Sequence, residues 1–174
     1  MTKTHWNRFD SRIESLKQII SGLEISIEEL HKNLNEIEWY DGLWLLEESE
    51  PIYGIAFISL QNYINSSIYD KYGTLEKKEK KYQIGERIQK SNRTGIELII
   101  GLANYYKHRD DNRDFHRGTI GILKDFKIKY DETVDFVESP IFKGLDIFSS
   151  NWKLNELIEM AQNWREKLWT SDKE

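Results

Sequence analysis

The sequence predicts an all-α fold: one domain, built as an antiparallel bundle of four to six helices. Two prolines and ten glycines in 174 residues leave little to interrupt long helices. Apolar residues recur at spacings of three and four over most of the chain, the period of a helix face. Hydrophobic residues make up 39% and aromatics 13%, enough to cover a single core. No internal repeat, low-complexity tract or linker divides the chain.

The first element is the clearest. Phe9, Ile13, Leu16, Ile20, Leu23, Ile27, Leu30, Leu34 and Ile37 alternate spacings of four and three, an unbroken heptad seam. Asp10 and Ser11 lie near its start, and Gly22 weakens it by about 1 kcal/mol without breaking the pattern. Such a seam packs along another long helix, within the chain or across a dimer. Trp39 to Glu48 is aromatic and acidic and leads to a turn. Ser49-Glu50-Pro51 then reads as a helix start, since proline suits the first turn. That helix runs to about Tyr69, burying Ile52, Ile55, Ala56, Ile58, Ser59, Tyr63 and Ile64, and Gly73 closes it.

Leu75 to Lys90 reads as an exposed basic helix with few apolar anchors. Thr94-Gly95-Ile96-Glu97 is a capping-box pattern. It launches a helix that is apolar nearly all round through Ala103, which places that helix at the centre. Asp110 to Arg117 is a polar turn, and Thr119 to Phe126 a short helix. Lys127 to Val137 alternates apolar and polar, an extended segment or a loop; Pro140 to Phe148 is another short helix. Ser150 caps the last helix, Asn151 to Trp169, with Leu154, Leu157, Ile158, Ala161, Trp164 and Leu168 on one face.

Composition narrows the function classes. With no cysteine, disulfides, thiolate zinc sites and cysteine nucleophiles are excluded. Met1 to Asp10 is polar and lacks the apolar run of a signal peptide, and Ile52 to Leu60 is too short to cross a bilayer. The expectation is a soluble cytoplasmic protein without a membrane partner. The net charge of −5 argues against nonspecific coating of nucleic acid. The charge is uneven: Glu24 to Glu50 holds nine acids and one Lys, whereas Lys71 to Arg93 holds eight Lys or Arg and three Glu. No phosphate-binding glycine loop, nucleophile elbow or dinucleotide fingerprint occurs, and no cofactor is expected.

The chemistry-bearing stretch is Ala103-Asn104-Tyr105-Tyr106-Lys107-His108-Arg109-Asp110-Asp111. Asn104 and His108 are four apart and share a helix face, with Lys107 and Asp111 on a common stripe. His108 is suited to proton transfer near neutral pH. Lys107 and Arg109 could neutralise a phosphate, and Asn104 could orient the imidazole. Together they suit metal-independent cleavage of RNA, whose 2′-hydroxyl supplies the nucleophile.

Asn104 to His108 resembles the signature of HEPN domains, an Arg-Asn pair, two or three variable residues, then His at a helix–turn junction. The family's arginine falls at Ala103. A second registration takes Arg109, six residues, then His116. The resemblance covers about fifteen residues plus the helical layout. It implies a HEPN-like bundle, a homodimer, RNA as substrate, and a metal-independent endoribonuclease of toxin–antitoxin or antiphage systems. The site residues would be Asn104, Lys107, His108, Arg109 and His116.

Other readings stand beside it. Lys107, His108 and Arg109 suit the carbonyl end of a helix whatever their chemistry, and Tyr105 and Tyr106 read as core or interface aromatics. The missing arginine fits a noncatalytic interaction or regulatory protein, with an antitoxin or defence component as partner. In that case the heptad seam and Trp39, Tyr40 and Trp44 matter more than His108. Finally, His108, Asp110, Asp111, Asp114 and His116 supply metal-binding side chains within nine residues, without a recognised helical ligand spacing.

Overall fold

A computed structural model describes residues 6–88, 91–111, 113–130 and 136–170. Among these the chain is an all-α helical bundle without strands: α1 (Ile13–Glu36), α2 (Gly42–Tyr72), α3 (Lys78–Tyr82), α4 (Gly95–His108), α5 (Arg117–Asp125), α6 (Pro140–Phe148) and α7 (Leu154–Thr170). Short 3-10 turns precede α1 and α6.

The heptad seam forms α1. Ile13, Leu16, Ile20 and Ile27 are buried; Leu23, Leu30, Leu34 and Ile37 are half-buried. Phe9 lies before the helix and is exposed. The seam packs against α2 and α7 of the same chain. Arg12 bonds Asp70 at its start and the chain reverses over 37–41, so α1 and α2 are antiparallel. Asn155 bonds Glu24 while Arg165 bonds the carbonyls of Asn7 and Arg8, so α7 runs antiparallel to α1.

The helix start expected at Ser49 does not exist. Asp41 caps α2 instead, accepting from the N–H groups of Leu43 and Trp44, and the helix runs through Pro51 for 31 residues. Proline removes one backbone donor there. Burial compensates: Glu50, Tyr53, Phe57, Leu60 and Ile64 follow the three–four spacing of a core stripe, and all are buried. Ile55 falls off that stripe and is 46% exposed. Gly73 ends the helix at φ 69°, the left-handed cap that glycine favours.

Of the basic stretch 75–90, residues 89 and 90 lie outside the described residues, and 75–88 give only the five-residue α3. Too few apolar side chains face the core there to hold a longer helix. Tyr82 is its anchor, donating to Asn65, while its carbonyl accepts from Thr94 Oγ1 at 2.6 Å. Arg87 and Thr94 form an isolated bridge. Thr94 and Glu97 make the expected capping box, and every residue from Gly95 to Ala103 is buried. Helix α4 packs on α2, α5, α6 and α7. It is the centre of the bundle, with Leu98, Ile99 and Leu102 fully enclosed. Helix α6 spans Pro140–Phe148 as the sequence predicts; α7 starts three residues later than Asn151 and buries its expected face. Of the alternating stretch 127–137, residues 131–135 lie outside the described residues, and 127–130 form no strand.

Candidate functional site

The end of α4 is presented to α2 in antiparallel register. Four pairings fix it. Gln61 Nε2 donates to Asn104 Oδ1 at 2.8 Å, and Lys107 Nζ donates to Gln61 Oε1 at 2.5 Å. Tyr106 lies flat on Gly54, where any Cβ would run into its ring. Arg109, the residue after α4, donates to Glu50 Oε2 at 2.6 Å. Glu50, Gly54 and Gln61 sit four and seven positions apart, one face of α2. They receive Arg109, Tyr106 and Asn104 with Lys107 in reverse order.

Glu50 is a buried carboxylate, its side chain only 4% exposed. Arg109 neutralises it, and Ser139 Oγ donates to its second oxygen. The Arg109 guanidinium also stacks on Tyr106, 4.5 Å from the ring centroid. Burial works against the charge on Arg109, but the bond and charge of Glu50, with Tyr106 and Asp110, outweigh it and hold its pKa above the ordinary value. Lys107 shifts the other way: burial, then the nearby charge of Lys78, lowers its pKa. Tyr106 is raised by burial, with Arg109 opposing. Tyr105 packs on Phe115, centroids 5.4 Å apart. Both tyrosines are half-buried packing aromatics here.

His108 points elsewhere. Its side chain is 48% exposed, and Nδ1 lies 3.0 Å from Asp111 Oδ2. The carboxylate accepts, so Nδ1 carries the proton of this bond. Asp111 also accepts from Arg113 at 3.1 Å. The bond from His108, then that from Arg113, lowers the Asp111 pKa. His116 belongs to a different element. It caps α5, its Nδ1 accepting from Gly118 N–H at 3.1 Å.

Thus the structure joins Asn104 and Lys107 through Gln61, ties Arg109 to Glu50, sets His108 on the surface with Asp111, and gives His116 to another helix. Among the described residues, no three His or carboxylate side chains are grouped to hold a metal ion. No described helix is long and apolar enough to cross a membrane. Gly54, Gln61 and Ser139 were not singled out by the sequence, which read Glu50 only as part of a helix start after an acidic turn. Glu50 is the correction: it is buried inside α2. The signal that could have found it is its place on the stripe with Tyr53 and Phe57.

No family model, curated protein or solved structure matches this chain.

Proposed function

We propose that this chain is a noncatalytic interaction protein built on a HEPN-like helical bundle. The observation that carries this reading is the engagement of Arg109, Asn104 and Lys107 within the α2–α4 seam. A ribonuclease of this type needs cations aimed at the scissile phosphate. Arg109 is instead paired with a buried carboxylate, and Ala103 stands where the HEPN signature has arginine. His116 is engaged as a helix cap. The reading makes the chain a regulatory or immunity partner, as a homodimer or bound to a toxin–antitoxin or antiphage component in the cytoplasm.

A second reading, the metal-independent endoribonuclease, is favoured by one feature. The Asp111-oriented His108, with its side chain 48% exposed, has the geometry of a general base. In that case RNA is the partner.

Purified protein incubated with RNA in EDTA separates the two. The interaction reading expects intact RNA with the native chain and with a folded His108→Ala variant. Cleavage that survives chelation and disappears in His108→Ala overturns it in favour of the second.

A further inference from the structure

We propose that the corner between α1 and α2 is a docking surface for a cationic, amphipathic segment of a partner protein. The surface is built around Trp39, Leu43 and Trp44, which are 67%, 58% and 46% exposed. Three large apolar side chains in six positions are left uncovered, whereas Tyr40 between them is buried and donates to Glu48 at 2.7 Å. That anchor turns Trp39 outward. The Asp41 cap holds the backbone of Leu43 and Trp44. The Trp39 ring stands edge-on to both Trp44 and Tyr40, with centroids 6.0 Å apart in each case. The aromatic surface is therefore preorganised and loses little side-chain freedom on binding.

Its charge selects the occupant. Glu36, Glu38, Asp41, Glu47 and Glu48 are exposed around it, and no Lys or Arg occurs from 33 through 48. Acidic side chains beside open indole faces attract Lys and Arg by ion pairing and by cation–π contact. Leu43 and the indole bodies require an apolar stripe on the same segment. Nucleic acid and anionic lipid are repelled by this rim. A second copy meeting this face with its own would set one acidic rim against another. The chain's own densest basic run, 77–81, is also partly engaged, with Lys81 Nζ 4.0 Å from the Tyr72 ring centroid.

This inference rests on the interaction reading, yet the two fail separately, because RNA cleavage does not report on Trp39 or Trp44. The test is fluorescence anisotropy with a labelled helical peptide of Leu and Lys at amphipathic spacing, against the same peptide with Glu for Lys. The Lys peptide is expected to bind saturably and the Glu peptide not to bind. Trp39→Ala/Trp44→Ala and, independently, Glu38→Lys/Glu47→Lys are expected to weaken binding at least ~10-fold with circular dichroism unchanged. Glu156→Lys, at an exposed position of α7, is expected to leave it unchanged. Absent binding, or equal binding by all variants, overturns the proposal. So does anionic-vesicle binding that requires the two tryptophans. Self-association in sedimentation that the Trp variants abolish assigns the surface to a second copy and overturns it as well.

Discussion

Arg109 and Glu50 depend on each other. A carboxylate removed from water requires a compensating charge, and among the described residues Arg109 and the Ser139 hydroxyl supply its hydrogen bonds. Arg109→Met is expected to cost about 3 kcal/mol in denaturant unfolding, because it strands Glu50. The Glu50→Gln/Arg109→Met double variant is expected to lose less than the sum of the single changes, and additivity in that cycle would refute the coupling. At His108 the prediction concerns pH. Asp111 is held below its ordinary 3.8. Its contribution to stability is therefore in place above that value and is lost as pH falls through the depressed folded value. Carboxyl NMR should place the Asp111 midpoint under 3.8, and His108→Ala should bring it back up, incompletely, since Arg113 remains. An unchanged midpoint would show that the imidazole does not orient on Asp111.

At the level of elements, α2 and α4 meet as closely as they do because Gly54 has no side chain. Gly54→Ala is expected to destabilise the fold by about 1–3 kcal/mol and to displace Tyr106 and Arg109, measured as a lower denaturant midpoint with loss of near-ultraviolet dichroism. An unchanged midpoint would mean that Tyr106 does not rest on this site. The same pair of helices shows how far sequence reading reaches. The α1 seam, the Thr94–Glu97 capping box and the bounds of α6 are local patterns, and each was visible in the residues. The start assigned at Ser49 failed because a favourable local role for Pro51 was outweighed by long-range burial of the stripe through Glu50. The basic helix expected from Leu75 failed in the opposite sense over 75–88, since charge and propensity with few apolar anchors supported only the short α3. Asn104, Lys107 and Arg109 were recognised as a cluster, but their partners are Gln61 and Glu50, 43 to 59 positions away. No short-range spacing announces such pairings.

Across the whole molecule, the chain before α1 is held by the far end of α7. Arg165 is 2% exposed and donates to the carbonyls of Asn7 and Arg8, while Tyr63 from α2 donates to Asp10 at 2.5 Å. Arg165→Met is expected to speed amide exchange selectively in residues 7–12 and leave α4 protected. Uniform acceleration would instead mean that this clamp supports the entire bundle. The α2–α4 seam behaves differently. Its three stations are unlike one another: an acid, a bare backbone and an amide. A slide of α4 by one turn, about 5.4 Å, would bring Arg109 onto Gly54 in one direction and press Tyr106 against Glu50 in the other. The two helices therefore work as a key and its lock, with a single setting and no neighbouring notch.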